Sequence, residues 1–461
     1  MAQLSTLPNE IILAIISCFH GPTDVTELLS LCLTSRRLRL LAQPILFYDY
    51  FKYVLAAGSD TYLKRRCRIG PLISFARTLV LRPELGKQVH RVCINVNRIL
   101  TDCLSDWPET ERNEAVSVLT GAIQEMRLPR KADYMSGIIK SRMNPLVTII
   151  ATLAPNLEAL DIVVENEGLR LLEPLYRPPD DGSLRPPFLS KLRSLHIRDL
   201  KKMQHPTMKD VISLMCLPKL EKFSMAFCNG DGLACPDFDL PPGSLALSEL
   251  ELQETTLDAT RLTKIIRACK KLEVFTYESL PWLSQTADSC QFPPQALLPC
   301  LESQKHNLRS VRINLDVADP LIIYDWRRCP QYGSFDAFRN LKDLDVEQGA
   351  MQDFQNLPPF IERLTILCCE HPVYEMMASL ADCCRNNFPF LRHVLLKPKY
   401  LPACGMLGIQ GEYTESDWVV NPQFRESYRA GCCALEAILE GARFSFEVDC
   451  DGWDLYHRGD I

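Results

Sequence analysis

Cysteine and histidine are the side chains of this chain best suited to chemistry, because they act as nucleophiles, proton carriers and metal ligands. The sequence has 20 cysteines and 8 histidines in 461 residues. No two cysteines have the CxxC spacing, and no histidines form HExxH or HxxxH. Those spacings are typical of zinc sites, so the sequence predicts no metal site and no cofactor.

Enzyme motifs are missing from the sequence as well. The chain contains no GxSxG, GxxxxGK[ST] or GxGxxG segment. Most cysteines lie in apolar segments, and three pairs are adjacent: Cys368/Cys369, Cys383/Cys384 and Cys432/Cys433. This placement is typical of buried free thiols in a reducing compartment. We therefore expect a protein of the cytoplasm, the nucleus or both, with no catalytic residues and no enzymatic activity.

Charge and hydropathy exclude two classes of partner. A net charge of −6 and a pI near 5.9 provide no basic surface for nucleic acid. No apolar run reaches the roughly 18 residues that a membrane-spanning helix needs. The start of the chain lacks a basic segment and a small-residue cleavage site, so we expect no signal peptide. Neither nucleic acid nor a membrane is an expected partner.

The N-terminal segment LSTLPNEIILAIISCF, at positions 4–19, is unusually aliphatic. Pro8 and Glu10 favour a helix that begins there. A second helix is predicted around Leu28, and a third from Ser35 to Pro44. Three helices in about 45 residues bury too little surface to be stable alone. Burial of four aliphatic side chains against a partner contributes roughly 6–12 kcal/mol, so the segment predicts a docking module.

Two blocks of this segment, LPNEIILAIISCF and ELLSLCLTSRRLRLLAQPILF, resemble an F-box. The match covers residues 4 to about 48 and is of the variety common in fungal F-box proteins, where SRRLR replaces the more usual Cys-Arg-x-Trp. The resemblance implies binding to the Skp adaptor of a Skp, cullin and F-box (SCF) ubiquitin ligase, with cullin as a further partner. The adaptor-facing positions that it implies are Leu7, Pro8, Ile11, Ile15, Leu28, Leu29, Leu31 and Leu38.

Three alternatives remain open for the chain. In the first, the three N-terminal helices are an ordinary cap that shields the first turn of a larger core. In the second, the protein is a leucine-rich interaction scaffold whose F-box serves the adaptor without cullin, or serves only packing. In the third, the protein is an enzyme without a recognisable motif, because function does not follow from fold alone.

Most of the remaining chain repeats the phrase L-x-x-L-x-L, in which an aromatic residue, Val, Ile or Met can replace Leu. Copies begin at positions 157, 192, 220, 247, 272, 308, 341, 361 and 391, and ARTLVL at position 76 is predicted to be a degenerate first copy. The steps between copies bracket the leucine-rich-repeat period. In a strand, the fourth and sixth residues share one side, so we expect them to face the core and the fifth to face solvent.

Helical spacing precedes many copies, so strand and helix are predicted to alternate. These helical segments are Leu146–Leu153, Met208–Leu217, Leu262–Cys269 and Met376–Cys384. The pattern resembles the leucine-rich-repeat region of F-box proteins. A doubly wound α/β domain also alternates strand and helix, but it does not predict the repeated phrase.

The predicted fold class is α/β: a small three-helix F-box and then an irregular leucine-rich-repeat solenoid, with parallel strands on the concave face and helices on the convex face. The predicted domains are an F-box at 1–50, a helical linker at 51–74, repeats at 75–420 and a C-terminal cap at 421–461. The cap is predicted to contain a helix at Phe424–Leu439 and a strand at Arg443–Val448.

Client recognition is expected on the solvent-facing residues of the strands, at the third, fifth and seventh positions of the phrase. The candidate client-binding residues are Glu249, Glu251, Glu278, Arg312, Asp343, Asp345 and Glu347. Six of the seven are acidic, which favours a basic segment of an unidentified client protein, and the alternative is that they are only solvated residues of the sheet. Aromatic residues in the insertions, Tyr324, Trp326 and Tyr332, are further candidates, since interfaces favour such anchors, and the alternative is that they pack a long loop onto the repeats. The expected function is the substrate-recognition subunit of an SCF ligase.

Overall fold

The chain divides into two units, Met1–Phe227 and Cys228–Ile461. The computed structural model describes residues 7–19, 24–53, 70–95, 108–126, 128–140, 142–164, 169, 172–176, 188–199, 208–226, 238–255, 257–279, 293–315, 331–351, 354–369, 373–398, 422–440 and 442–448. In both units, the described strands run parallel to one another and alternate with helices or short turns.

The first unit begins with three helices and continues with parallel strands. Its described helices are α1 (Asn9–Ile16), α2 (Val25–Thr34), α3 (Arg36–Tyr48), α4 (Gly70–Leu81), α5 (Pro83–Gly86), α6 (Glu109–Glu125), α7 (Lys131–Ile139), α8 (Met143–Leu153), α9 (Glu173–Tyr176) and α10 (Met208–Met215). Its described strands are β1 (Asp49–Tyr53), β2 (Arg91–Asn95), β3 (Ala159–Val164), β4 (Ser194–Asp199) and β5 (Lys222–Ala226). They pair in sequence order from β1 to β5.

The second unit repeats the same strand arrangement. Its described strands are β6 (Glu249–Thr255), β7 (Val274–Ser279), β8 (Ser310–Asn314), β9 (Asp343–Glu347), β10 (Arg363–Cys369), β11 (His393–Pro398) and β12 (Ser445–Val448). They pair in sequence order. The helices between them are α11 (Ala259–Ala268), α12 (Leu297–Leu301), α13 (Tyr374–Asn386) and α14 (Pro422–Ile438). Short 3₁₀ segments lie at Pro294–Ala296, Glu302–Gln304, Gln348–Ala350 and Phe354–Asn356.

The repeated phrase marks a strand at all nine positions from 157 to 391. Each strand from β3 to β11 begins at the third residue of its copy. The first, fourth and sixth residues of every copy are at most 3% exposed. In the copy LSELEL these residues are Leu247, Leu250 and Leu252. The predicted α/β fold class, with N-terminal helices followed by parallel strands and helices, is confirmed.

The predicted first copy, ARTLVL at position 76, is wrong because it lies in α4. Leu72, Ala76 and Leu79 are buried at helical spacing, and two of them happen to satisfy the phrase. The strand of this region is β2, which begins at the third residue of the segment VHRVCI at positions 89–94. Val92 and Ile94 occupy its fourth and sixth positions and are buried.

The end of the third helix also differs from the prediction. Helix α3 continues past Pro44 and ends at Tyr48. Proline at this position removes one hydrogen bond near the end of the helix, which the last turn tolerates when its apolar face is packed. The next residues form β1, so residues 51–53 of the predicted linker are a strand and residues 70–74 belong to α4. Residues 54–69 lie outside the described residues.

Candidate functional site

The three N-terminal helices enclose a small apolar core of their own. Its buried residues are Ile12, Ile16, Leu28, Cys32 and Ala42. Seven partly buried residues pack around them: Leu7, Phe19, Leu31, Leu38, Leu41, Ile45 and Leu46. Burial raises the pKa of the Cys32 thiol, against the opposing charge of Arg39. This thiol therefore serves the core as an apolar group rather than as a nucleophile.

The same helices leave an unusual amount of aliphatic surface exposed. Twelve large hydrophobic side chains are exposed in the described part of the chain, and six of them are aliphatic residues of α1, α2 and α3. We name these six the aliphatic set: Ile11 (48% exposed), Leu13 (40%), Ile15 (44%), Leu29 (46%), Leu33 (79%) and Leu40 (74%). Such concentration in one small domain is typical of a surface that binds another protein.

The eight predicted adaptor-facing residues occupy three kinds of place. Pro8, Ile11, Ile15 and Leu29 are exposed. Leu7, Leu31 and Leu38 are partly buried and pack against the core of the three helices. Leu28 belongs to that core, because it lies one turn before the buried Cys32 on the inward side of α2. Leu28 is therefore a packing residue, with almost no surface for a partner.

Leu13, Leu33 and Leu40 are exposed residues that the sequence prediction missed. A helical-spacing signal was available for one of them, since Leu33 lies one turn after Leu29. The pair Leu29 and Leu33 on α2 thus corresponds to the pair Ile11 and Ile15 on α1. No comparable spacing identifies Leu40, whose helix packs largely through Leu38, Leu41 and Ala42.

The SRRLR block holds the ends of the helices through polar side chains. Ser35 caps α3, since its Oγ accepts a hydrogen bond from the Leu38 amide at 3.2 Å. Arg39 Nε donates to the Cys32 carbonyl at 3.0 Å and so satisfies a backbone oxygen in the last turn of α2. Arg37 donates to the Leu7 carbonyl and to the Asn9 side chain at the start of α1.

Helix α3 joins the three-helix domain to the strands that follow it in the same unit. The Tyr48 ring stacks on His90 with centroids 4.6 Å apart, and the His90 amide donates to the Tyr48 carbonyl. Phe47 and Tyr50 both stack on Phe75 of α4. These contacts connect the end of α3 to β1, β2 and α4. The three-helix domain is therefore packed against the first strands of its own unit.

The predicted client-binding residues lie in rows across the strands of the second unit. One row contains Glu251, Thr276, Arg312, Asp345 and Thr365, on β6 to β10. The next contains Glu249, Val274, Ser310, Asp343 and Arg363 on the same strands. Glu278 lies further along β7, opposite Asn314. The parallel register therefore brings six of the seven predicted residues to partly or fully exposed positions on one side of the strands.

The acidic residues in these rows have different surroundings. Asp345 Oδ2 lies 4.0 Å from Arg312 Nε, and Asp343 accepts a hydrogen bond from Arg363. Burial raises the pKa of Asp345, while a hydrogen bond from Thr365 and the Arg312 charge oppose the rise. Strands β6 and β7, which carry Glu249, Glu251 and Glu278, contain no lysine or arginine. The β6 and β7 end of the rows is thus the more acidic one.

Two predicted contact residues of the second unit are buried. Glu347 is 3% exposed at the end of β9, and Tyr332 is 7% exposed. The cause is local: the Tyr332 amide donates to the Ala350 carbonyl, and Gln331 Nε2 donates to the Gly349 carbonyl. This short pairing covers the end of the strand. Tyr324 and Trp326 lie outside the described residues.

Within the described ranges, no group of three or more His, Cys, Asp or Glu side chains is arranged to hold a metal ion. No helix in the same part of the chain has both the length and the apolar character needed to cross a membrane.

Comparison with known proteins identifies the N-terminal domain. None of the curated proteins matches the chain. Among solved structures, the crystal structure of the Rad7 and Elc1 complex in yeast aligns with 91% of this chain and 100% of that chain, at 14% identity and a TM-score of 0.27. That likeness is too low to support an argument. The F-box-like family model matches residues 4–52, which contain α1, α2 and α3. The protein therefore carries an F-box-like domain at its N-terminal end.

Proposed function

We propose that this protein is the substrate-recognition subunit of an SCF-type ubiquitin ligase. Its F-box-like domain binds the Skp adaptor, and its repeat strands bind a client protein. The observation that carries the proposal is the aliphatic set, six exposed large side chains on a domain that matches the F-box-like family model.

The adaptor contact consists of exposed residues on α1, α2 and α3. The proposed contact residues are Pro8, Ile11, Ile15 and Leu29 from the sequence prediction, together with Leu33 and Leu40, and all six are exposed. Burial of one such aliphatic side chain contributes about 1.5–3 kcal/mol, so several together are enough to offset the cost of association. Leu7, Leu31 and Leu38 support these residues from the core side.

The client contact lies on the solvent-facing side of the strands in the second unit. Strands β6 and β7 carry Glu249, Glu251 and Glu278 together with Glu254, and neither strand contains a lysine or an arginine. Asp343 and Asp345 contribute less net charge, because Arg363 and Arg312 lie beside them. Electrostatic complementarity therefore favours a basic client segment at β6 and β7.

The protein acts by proximity and carries out no bond-making step itself. The F-box-like domain attaches the protein to the ligase through the adaptor, and the repeats hold the client on the same chain. Holding both partners raises the effective concentration of client lysines near the ubiquitin-charged enzyme of the complex. Ubiquitin transfer is thereby directed to whatever the repeats bind.

Co-purification of the full chain with the Skp adaptor and cullin tests this proposal. We expect both proteins with the native chain, and neither with an Ile11→Asp/Leu29→Asp variant that remains folded. Recovery of the adaptor without cullin contradicts the ligase role and supports the scaffold alternative. Absence of the adaptor from the native chain contradicts the proposal altogether and leaves the three helices as a cap.

The client surface is tested by charge reversal. The triple variant Glu249→Lys/Glu251→Lys/Glu278→Lys is expected to lose client proteins that co-purify with the native chain. The control is Glu302→Lys, an exposed carboxylate outside the strands of the same unit. Equal client recovery with all three proteins contradicts the assignment of recognition to β6 and β7.

A further inference from the structure

We propose that Arg37 is a positioning residue, which fixes the rotation of α1 and thereby decides which isoleucines face a partner. The inference rests on the proposed adaptor binding by this domain and deepens it. It assigns a role to a polar residue outside the aliphatic set.

The geometry of Arg37 spans the first residues of α1. Its Nη2 donates to the Leu7 carbonyl at 2.5 Å, and its Nε donates to Asn9 Oδ1 at 2.8 Å. Pro8 lies between these acceptors, and its carbonyl accepts the first helical hydrogen bond, from the Ile12 amide. A planar guanidinium with donors in a fixed fork can hold two acceptors in one orientation, which a lysine cannot.

Helix α1 is held at its N-terminal end by the packing of Leu7 and by the hydrogen bonds from Arg37. It has only eight residues, and its N-cap residue, Pro8, makes no side-chain capping hydrogen bond. Helices of this length are marginal in water and depend on tertiary contacts. Arg37 supplies such a contact from the second residue of α3, and the Ser35 cap fixes the start of that helix.

The apolar residues of α1 distinguish poorly between two rotations of the helix. Ile12 and Ile16 face the core, while Ile11 and Ile15 are exposed. A roll of one residue, about 100°, would bring Ile11 and Ile15 into the core positions of Ile12 and Ile16, so the core would again receive two isoleucines of the same volume. Core packing alone therefore provides weak discrimination. The two bonds from Arg37 distinguish the rotations, because they fix Asn9 on the side of α1 that faces α3.

The test measures adaptor affinity and the rotation of α1 separately in the full chain. The central variant is Arg37→Met, which keeps an unbranched apolar stem without the guanidinium. The matched control is Arg36→Met, a loss of the same charge at the neighbouring exposed position. Asn9→Leu and the double variant Asn9→Leu/Arg37→Met complete a double-mutant cycle. Asn9→Asp keeps an acceptor for the guanidinium.

Three readouts separate positioning from general destabilisation. They are affinity for the purified Skp adaptor by calorimetry, hydrogen exchange of the α1 amides, and the thermal unfolding midpoint. We expect Arg37→Met to weaken adaptor binding by about tenfold or more and to speed α1 exchange by a similar factor, because both charge-assisted hydrogen bonds are lost. Arg36→Met and Asn9→Asp are expected to stay near the native values, and the double variant to lose no more than Arg37→Met alone.

The outcomes distinguish this inference from the proposed function. If the native chain binds no adaptor, the proposed function fails, and the positioning role fails with it even if α1 exchange responds to Arg37→Met. If the native chain binds the adaptor and Arg37→Met binds equally well, only the inference is overturned. It is also overturned if Arg36→Met weakens binding as much, or if the two losses in the double variant simply add.

Discussion

The three N-terminal helices and the repeat strands use their apolar residues in opposite ways. In the strands, the apolar residues of the repeated phrase are at most 3% exposed. In the helices, Leu33 and Leu40 are about three-quarters exposed. The apolar side chains of each repeat pack against neighbouring repeats, whereas three short helices enclose only a small core. Apolar periodicity in a sequence therefore predicts burial only where enough neighbouring structure exists to cover the apolar side chains.

Phe275→Ala is the substitution with the largest expected effect, and it tests the burial of the apolar residues in the repeat strands. Phe275 is fully buried at the fourth position of its phrase on β7. We expect a loss of about 3–5 kcal/mol in the free energy of unfolding, because a large cavity replaces the ring. Chemical denaturation of the full chain measures the loss. A change below about 1 kcal/mol contradicts the burial of this position.

Gln304→Ala tests a polar contact that joins two repeats of the second unit. The Gln304 amide donates to the Ile266 and Cys269 carbonyls, and its oxygen accepts from the Leu272 amide and Asn307. Its loss leaves buried backbone groups without partners at the end of α11, at a cost of about 2–4 kcal/mol. Denaturation and hydrogen exchange at the Leu272 amide provide the measurement. Asn307→Ala, which removes only one of these bonds, is the control and should cost less.

Leu33→Ala and Leu40→Ala test the exposed aliphatic residues of the N-terminal helices. Both side chains lie largely in solvent, so we expect stability to change by less than about 0.5 kcal/mol. Adaptor affinity is expected to fall by about tenfold in the double variant, because apolar contact with the partner is lost. A large loss of stability would place these residues in the core and contradict the contact. Thermal unfolding and calorimetry on the same samples separate the two results.

Asp345→Asn has the smallest expected effect and concerns pH. Burial raises the pKa of Asp345 above its usual 3.8. The native state thus prefers the neutral carboxyl, and this contribution to stability is lost as the pH rises above the unfolded-state value of 3.8. We expect Asp345→Asn to gain stability relative to the native chain as the pH rises from 3 to 6, by less than about 1 kcal/mol. A gap that narrows over this range contradicts the expectation.

The repeat strands were predictable from sequence because their local pattern and tertiary burial agree. The phrase located β3 to β11 and failed at ARTLVL, where Ala76 and Leu79 satisfy both helical spacing and the first and fourth positions of the phrase. The segment VHRVCI, in which β2 begins, fits the phrase with valine and isoleucine in place of leucine. The sequence therefore contained the pattern that predicts β2, although it was missed. Burial of Glu347 had no sequence signal, because it depends on pairing between residues 331–332 and 349–350.

The exposed surface of the three helices was only partly predictable for a related reason. The F-box resemblance implied Ile11, Ile15 and Leu29, which are exposed, but it also implied Leu28, which is buried. Neighbouring helical positions of the same residue type differ only in direction, and tertiary contacts such as those of Arg37 fix that direction. The polar residues of the SRRLR block thus help to determine which helical residues face the core, and an apolar pattern alone does not.

The most direct test of the central claim is the affinity of the full chain for the purified Skp adaptor, measured by calorimetry for three proteins. They are the native chain, an Ile11→Asp/Ile15→Asp variant, and a Leu81→Asp/Ile139→Asp control. The control replaces two aliphatic residues of the same unit that are 57% and 55% exposed on other helices. We predict that the native chain and the control bind alike and that the Ile11→Asp/Ile15→Asp variant does not bind. Equal affinity of all three proteins, or no binding by the native chain, would contradict the account.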